Sequence, residues 1–592
     1  MSPSPAHSIE SKDEEKSLDL TEPGTPSDTP GTPSGKHAPA LSTIDTSKQR
    51  PEGALGDAVL RVLRIRKGHP NLDLDAIATQ PSVWDSEHAE EYKKLLVRSD
   101  WENIEAFDPE FRWTWREEKA TRRAVDWKIF LWVCVMFSAL NIDRGNLSNA
   151  LSDNFLNDLK LSQADYNLGN TLAKLGFLAA ELPSQLISKR LGPDRWIPLQ
   201  IIIFSIISGA QFWLTGRASF LATRFLIALF QGGFIPDTIL YTSYFYSSRH
   251  LPIRLAWYWI SADIVSIIKN FLAVGLLKMR GLGGHAGWRW LFLIEGLLTL
   301  AIGIASFFLM PTAPAKTKTW FRPNGYFTDR QVKIIVNSVI RDDPGKAGMH
   351  NRQPLTVKMI FKCLGDYNMY PLYLIGLLFG IPGYPVGNYL TLSLKSLGFN
   401  VVQTNLLNIP TTVLSIINLF AITAVSELVN NRSFISMADN LWMLPNFIAL
   451  VVLKDPIQPW SYFALATVLL AYPYLDKHEF RVGSEPDSLG ITEDGALTRC
   501  RMYNMMVQAS AMIGANIYVE SDSPRYFKAN KGLIGVIVFN LVILYPGTYF
   551  YYRWRNAQKA KKWDALSAEQ RKEYLDTTSD VGNKRLDFRF TL

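Results

Sequence analysis

Cysteine is scarce in this chain, and several familiar chemical patterns are missing with it. The three cysteines among 592 residues are too few for a disulfide framework, and all lie in or beside apolar segments. No zinc-ligand spacing, nucleophile–base constellation or phosphate loop occurs, so the sequence predicts no enzyme, metal or other cofactor. The net charge of +8 is modest and no patch combines basic with aromatic residues. We therefore expect no nucleic-acid partner.

The first part of the chain also has little apolar sequence. Residues 1–51 are rich in Ser, Pro, Thr and charge, with Thr-Pro pairs at Thr25, Thr29 and Thr32. Such a composition buries too little apolar surface to offset the entropy of ordering, and it contains no signal peptide. We predict a disordered cytoplasmic tail over residues 1–110. The Thr-Pro pairs are potential phosphorylation sites, although a solvated tail without that role is the simpler interpretation.

Apolar segments follow one another from Trp127 to Trp554. Most have the ~20 residues that a helix needs to cross about 30 Å of hydrocarbon, and helices satisfy every backbone group in lipid. We therefore predict an all-α membrane protein with twelve transmembrane helices in two six-helix halves. The predicted spans are 127–147, 166–187, 197–214, 220–241, 255–277, 288–310, 371–394, 406–426, 434–453, 460–475, 502–519 and 533–552.

Lysine and arginine are distributed unequally between the connecting segments. The segments before span 1, after spans 2 and 4, between spans 6 and 7 and after span 12 are basic, whereas the alternate loops hold about a third as many such residues. This bias predicts that both termini are cytoplasmic, and we expect the plasma membrane. The halves, 111–310 and 367–554, are then separated by a connector over 311–366 and followed by a cytoplasmic tail over 555–592.

The connector contains an amphipathic pattern. Thr328 is a candidate N-cap, and the segment Asp342-Asp343-Pro344-Gly345 ends the pattern. Apolar residues recur between them at helical spacing, which predicts a helix lying on the cytoplasmic face. These residues are Val332, Ile335, Val336, Val339 and Ile340.

Span 10 is unusual because a polar run follows it. The segment ends at Leu475 after about 16 residues, which is short for a membrane crossing, and Asp476-Lys477-His478-Glu479 begins a polar stretch that continues to Arg501. Either the protein has diverged here or residues 476–499 come from an unspliced or frame-shifted segment. The second interpretation predicts a transcript that encodes an apolar continuation after Tyr474.

Two ionisable residues stand side by side within span 1. Asp143 and Arg144 occur in the stretch Asn141-Ile142-Asp143-Arg144-Gly145-Asn146. At membrane depth such charges are costly unless they face a wet cavity or a partner. The pair therefore indicates a transporter of a small charged solute, with its site at the midplane between the two halves.

Five motifs along the chain together carry a family resemblance. They are residues 141–146 in span 1, Arg224 with 230–237 in span 4, 287–296 at the entry to span 6, 341–344 with 349–352 in the connector, and 503–508 with 516–518 in span 11. In combination they resemble the motifs of the anion:cation symporter branch of the major facilitator superfamily and, within it, of the fungal allantoate permease family. The resemblance covers about residues 127–554, and it is the combination that makes it specific.

The resemblance implies that Arg144 binds the substrate anion. A guanidinium matches a carboxylate through two parallel hydrogen bonds. The alternative is a structural ion pair with a neighbouring span. Arg224 is a second candidate, for which a packing role is equally plausible.

Asp143 is the predicted proton carrier, because a carboxyl group balanced between burial and nearby arginines can bind and release a proton. Related anion symporters often place a second acid in span 4, where this chain has Gln231. Their aromatic residue two positions before the Asp is Asn141 here. These departures leave the number of coupled protons open and predict an altered pocket floor.

Span 5 and the second half supply further candidates. Asp263 and Lys269 lie six residues apart and face different directions, so neither is a good partner for the other. Lys269 is a candidate for neutralising a substrate carboxylate, Asp263 is a second candidate for proton coupling, and Glu295 is expected to tie a span end to basic loops. Neutral residues in the second half suit the uncharged part of a substrate, or else hold helices together. They are Tyr384, Asn388, Tyr389, Asn405, Asn504 and Gln508.

The sequence thus predicts a monomeric secondary active transporter whose partners are a small organic anion, protons and the lipid bilayer. The resemblance implies a carboxylate, ureide or vitamin such as allantoate, nicotinate, pantothenate or biotin. A proton-coupled exporter is one alternative, but span 5 lacks the Gly-Pro-rich motif of exporters. A non-transporting nutrient sensor is another, and such proteins usually carry a much longer signalling tail than the last forty or so residues here.

Overall fold

The protein is described here from a computed structural model. The structure describes residues 73–80, 82–85, 89–247, 250–348, 365–429, 437–453, 458–473, 493–523, 525–577, 582–584, 586 and 590. Over these residues the chain is helical, and its only β pairing consists of two isolated bridges. The predicted all-α class is confirmed.

Eight helices in the described part of the chain are long and apolar enough to cross a membrane. They are span 1 (Trp115–Leu151), span 3 (Pro193–Trp213), span 4 (Arg217–Ser243), span 5 (Ile253–Leu277), span 6 (Gly287–Leu309), span 7 (Tyr367–Ser396), span 8 (Val401–Ile422) and span 12 (Phe527–Asp564).

Four more helices occupy the remaining predicted spans. They are span 2 (Gln163–Leu191), span 9 (Ala438–Val452), span 10 (Pro459–Leu470) and span 11 (Glu493–Ala515). Outside the spans, the described helices of eight or more residues are Ala89–Leu96, Asp329–Asp342 and Ala568–Thr577. The polar run after span 10 falls mostly outside the described residues, because 474–492 are not among them.

Small residues let the helices of the first half approach closely. On span 6, a Cβ atom at Gly296 would lie 2.7 Å from the Cα of Gly209 on span 3. Spans 2 and 4 meet in the same way, because a Cβ at Gly176 would lie 2.7 Å from the carbonyl oxygen of Phe225. Span 1 packs against spans 5 and 6. These contacts place the motif of span 1 inside the half rather than at its lipid surface.

Hydrogen bonds join the two halves at the end of the bundle opposite the connector, which we call the far side. Ser148 and Thr391 share a hydrogen bond of 3.1 Å between spans 1 and 7. Asn167 of span 2 donates to the carbonyl of Tyr518, near the end of span 11, at 3.1 Å, and accepts from the hydroxyl of Tyr389. The far side is therefore closed in this conformation.

The N-terminal segment differs from the prediction of a disordered tail over residues 1–110. Its described part, from residue 73 onwards, packs on the connector helix Asp329–Asp342. The indole nitrogen of Trp84 donates to the carbonyl of Ile340 at 3.1 Å, and Asn337 accepts from the backbone nitrogen of Asp108 at 3.0 Å. These contacts join residues more than 200 positions apart, which no local pattern in the sequence could indicate.

Asp85 is central to this attachment. Its carboxylate forms an ion pair with Arg112 at 2.6 Å and a second ion pair with Arg341 of the connector helix. Burial raises the pKa of Asp85, but the hydrogen bond and charge of Arg341, with a smaller effect of Arg112, hold it below its ordinary value overall. The segment is thus fastened by an ionised carboxylate.

The connector helix itself forms where its sequence pattern places it. Thr328 caps its N-terminus and exchanges side-chain and backbone hydrogen bonds with Gln331 in a capping box. Its apolar residues are buried, and Val336 and Ile340 lie against Trp84 and its neighbours. The apolar face of this helix is thus covered partly by the protein's own N-terminal segment and partly, at Ile335, by the first six-helix half.

The segment predicted as the C-terminal tail is also partly folded. The helix of span 12 continues to Asp564. Asn583 then donates to Asp366 at 2.7 Å, and the backbone nitrogen of Phe590 donates to Asn556 at 2.8 Å. The described residues of this tail therefore return to the connector end of the second half.

Candidate functional site

The motif of span 1 presents its two ionisable residues on different faces of the helix. Asp143 is fully buried against spans 3 and 6, whereas Arg144 is exposed although it lies within an apolar helix, about two turns before its far-side end. A residue in the next position on an α-helix is rotated by about 100°, which accounts for the divergence. The acid and the cation of the motif therefore serve different surroundings.

Arg144 lies between spans 2 and 4. Its Nε atom donates to Oε1 of Gln231 at 3.2 Å, and its guanidinium carbon lies 4.9 Å from the centre of the Phe177 ring. The hydrogen bond to Gln231 and the aromatic face fix the direction of the side chain. Among the described residues no other hydrogen bond to this guanidinium is present, so its two terminal nitrogens are available to a ligand.

Arg224 belongs to the same surface. It precedes Gln231 by seven residues on one helix, so the two lie on one face about 10 Å apart along the axis. The Nε of Arg224 and the Nε2 of Gln231 are buried and lack a hydrogen-bond partner within the described residues. Tyr166 of span 2 interacts electrostatically with Arg224. Unsatisfied buried donors are costly, and here they line the same face as two positive charges.

Asp143 forms a separate polar cluster behind span 1. Its carboxylate accepts hydrogen bonds from Ser208 of span 3 at 2.8 Å and from Thr299 of span 6 at 3.3 Å. Asn146, one turn further along span 1, donates to Ser208 at 3.2 Å. These bonds hold the carboxylate away from the surface that Arg144 faces.

Lys269 connects the two clusters. Its side chain crosses span 1 at Gly145, where an added Cβ atom would collide with the ammonium group and lie 2.7 Å from Cε. A larger residue at position 145 would displace the lysine side chain from this position. Beyond Gly145, the ammonium interacts electrostatically with Glu295 of span 6.

Glu295 is the residue of this region that sequence reasoning misplaced. We expected it to tie a span end to basic loops, but it is fully buried, and neither carboxylate oxygen has a hydrogen-bond partner in the part of the chain that the structure describes. It interacts electrostatically with Asp143 and Lys269. The available signal was an acid placed between Ile294 and Gly296 in an otherwise apolar run.

The remaining predicted residues are less closely gathered. Asn141 donates to the carbonyl of Phe137 on its own helix at 2.7 Å. Asp263 and Gln508 are half-buried on spans 5 and 11. The backbone carbonyl of Asn388 accepts from the Tyr166 hydroxyl at 3.1 Å. Asn504 lies on span 11, but its side chain is outside the described residues.

Two neutral residues of the second half join the halves rather than line the site. Tyr389 donates to Asn167 of span 2, and Asn405 donates to Ser152 at the end of span 1 at 2.9 Å. This arrangement matches the alternative in which such residues hold helices together. Over the described residues, no group of three or more His, Cys, Asp or Glu side chains is placed to hold a metal ion.

Within the described residues, twelve helices form a bundle with ionisable side chains between its spans, an arrangement typical of secondary membrane transporters. Residues 131–474 match the family model described as Major Facilitator Superfamily. The chain belongs to this superfamily.

Relatives support the assignment. The chain is 41% identical over 526 residues, 88% of its length and 95% of the relative's, to "Uncharacterized transporter YIL166C" of Saccharomyces cerevisiae. It is 26% identical over 294 residues, 49% of its length and 62% of the relative's, to a "Putative tartrate transporter" of Agrobacterium vitis. A crystal structure of a bacterial homologue of the human lysosomal transporter Spinster, inward-facing and unoccupied, superposes with a TM-score of 0.51 at 14% identity, over 73% of this chain and 96% of that one. This last likeness shows the fold.

Proposed function

We propose that this transporter imports a small organic anion together with protons by alternating access. The observation that carries the proposal is Arg144, an exposed guanidinium within a membrane-spanning helix, about two turns before its far-side end. Its two terminal nitrogens have no partner among the described residues. An isolated cation at this depth is costly, and an anionic ligand would offset that cost. Arg224 and Gln231 extend the same surface and would orient the rest of the anion.

The substrate class follows from the geometry of arginine. A planar fork with two free nitrogens suits a carboxylate better than a halide or a sugar hydroxyl. The motifs that resemble the anion:cation symporters and the fungal allantoate permeases favour the same class. The relative named as a putative tartrate transporter adds support. We therefore place allantoate, nicotinate, pantothenate, biotin and tartrate among the candidate substrates.

Asp143 is the proposed proton carrier. A proton on the Asp143 carboxylate would remove a buried negative charge behind span 1. Arg144, on a different face of the same helix, would bind the anion. Because Asp143 and Arg144 belong to one turn of one helix, a movement of the helix caused by anion binding at Arg144 would also displace Asp143, and the reverse. This arrangement supports coupling between anion and proton through span 1 rather than through direct contact.

The proposed orientation has the connector and both termini in the cytoplasm of a cell with this protein in its plasma membrane. Engineered cysteines at Gly216 and Gly345 test it in intact cells. An impermeant thiol reagent should label position 216 and spare position 345. Labelling at position 345 would show that the connector faces outwards and would contradict the proposed orientation.

Uptake of a panel of labelled organic acids tests the function. Cells that express the protein are compared with cells that do not, at acidic and at neutral external pH. We expect at least one acid of the panel to accumulate, and to accumulate faster at acidic pH. A panel without any protein-dependent uptake would refute the proposed substrate class.

A further inference from the structure

The carboxylate of Glu295 has an environment that a structural ion pair would not provide. It is fully buried, and neither oxygen receives a hydrogen bond from any of the described residues. The next residue, Gly296, packs directly on Gly209 of span 3, with 2.7 Å between the position of its added Cβ and the Cα of Gly209. The helix pair is therefore close-packed next to Glu295. An ionised carboxylate that is fully buried and receives no hydrogen bond is costly.

The charges around Glu295 come from two neighbouring helices. Span 1 contributes Asp143, and span 5 contributes Lys269. The ammonium of Lys269 interacts with Glu295 electrostatically, but it does not form a hydrogen bond to either carboxylate oxygen. On span 3, Ser205 and Gly209 lie against the adjacent Gly296, and neither residue titrates. With both acids and the lysine ionised, the cluster carries a net charge of −1. One added proton makes it neutral.

We propose that Glu295 is a proton-binding residue of this transporter and that it shares the coupling proton with Asp143. The step is a simple protonation: the carboxylate takes one proton from water and becomes the neutral acid, and it releases the same proton on the other side of the membrane. Two neighbouring buried carboxylates of one sign share a proton because both cannot ionise cheaply. Asp143 has hydrogen bonds that stabilise its charge, whereas Glu295 has none, so the proton resides mainly on Glu295.

Lys269 is a positioning residue in this scheme. Its side chain passes Gly145, the residue next to Arg144. Its ammonium group lies towards Asp143 and Glu295, behind span 1. An anion bound at Arg144 would attract this ammonium and leave the acids less compensated, which favours their protonation. The lysine thereby links anion binding to proton binding. This inference rests on the proposed function for its role in transport, but the protonation itself does not require a substrate.

Infrared difference spectroscopy of the purified full-length protein tests the protonation directly. Spectra are recorded between alkaline and acidic pH without any substrate. We expect a carbonyl band of a buried neutral carboxylic acid that shifts when the protein contains glutamate labelled with ¹³C at the side-chain carboxyl. Glu295→Gln should abolish the band. Glu181→Gln should retain it, because Glu181 is an equally buried glutamate on span 2 of the same half.

Several results would overturn the inference. They are a spectrum without such a band, a band that the ¹³C label does not shift, and a band that persists in Glu295→Gln. If the Gln variant does not fold, Glu295→Asp provides a second test, because it should retain an acid but move the band. Lys269→Met should increase the band at neutral pH, since the removal of a nearby cation favours the neutral acid. An unchanged band in Lys269→Met would remove the lysine from the scheme.

The transport arm separates this inference from the proposed function. With a panel acid that the wild type accumulates, Glu295→Gln should lose the acceleration by acidic pH, whereas Glu181→Gln should retain it. If no panel acid is transported, the proposed substrate class fails while the infrared result stands. If transport occurs and remains pH-dependent in Glu295→Gln, the role of Glu295 in coupling is refuted.

Discussion

Replacement of Arg144 by lysine tests how the anion is recognised. Lysine keeps the positive charge, but it loses the planar fork and cannot form the present bond from Nε to Gln231 together with two bonds to a carboxylate. A hydrogen bond to a charged group is worth about 1.5–3 kcal/mol. The apparent affinity for the transported acid should therefore fall by about 10- to 100-fold.

The assay is the concentration dependence of uptake, with surface expression measured in the same cells. Arg217→Lys is the matched control, because Arg217 lies at the start of the same span 4 as Gln231 but pairs with Asp165, in the first turn of span 2 at the far side, at 2.5 Å. The control should transport like the wild type. If Arg144→Lys has an unchanged half-saturation concentration, Arg144 does not form the bidentate contact on which the proposed function depends.

Three further variants probe other parts of the protein. Asp143→Asn mimics the protonated acid, so substrate exchange in counterflow should persist while accumulation driven by a pH gradient is lost; retained accumulation would exclude Asp143 as an essential proton carrier. Asn167→Ala removes two hydrogen bonds that close the far side. A cysteine engineered next to position 167 should then react faster with an impermeant thiol reagent than the same cysteine in a protein that retains Asn167. Equal reaction rates would refute the role of Asn167 in closure. Asp85→Asn should release residues 73–115 from the connector helix and increase their hydrogen exchange, whereas Asp100→Asn in an exposed pair should not. The folded-state pKa of Asp85 lies below its ordinary value. The ionised carboxylate therefore stabilises this attachment above about pH 4, and the stabilisation is lost as the pH falls below that value. Acidification of the wild type should reproduce the release of the segment.

Local patterns in the sequence predicted the elements of this fold. Apolar length predicted the twelve helices, and the Thr328 cap with its apolar spacing predicted the connector helix from Asp329 to Asp342. These predictions succeeded because helix formation, capping and membrane insertion depend on neighbouring residues. The family resemblance added the superfamily, which the comparisons confirm.

Long-range contacts were not predictable in the same way. The side chain of Trp84 and the carbonyl of Ile340 are 256 positions apart in the chain. The contact between Lys269 and Gly145 forms only because spans 1 and 5 cross there. The burial of Glu295 without a hydrogen-bond partner among the described residues depends on how spans 3 and 6 pack. The sequence indicated Arg144 and Arg224 as candidates, and the adjacency of Asp143 and Arg144 implied that they point in different directions. It did not reveal that Asp143 meets Ser208 and Thr299.

Accumulation of a transported acid in proteoliposomes with an imposed pH gradient tests the central claim most directly. The purified protein is reconstituted, and the labelled panel acid that cells take up is supplied outside at lower pH than inside. We predict accumulation above the external concentration that collapses when a protonophore dissipates the gradient. Equilibration to the external concentration, with the same time course whether or not a pH gradient is present, would contradict proton-driven anion import.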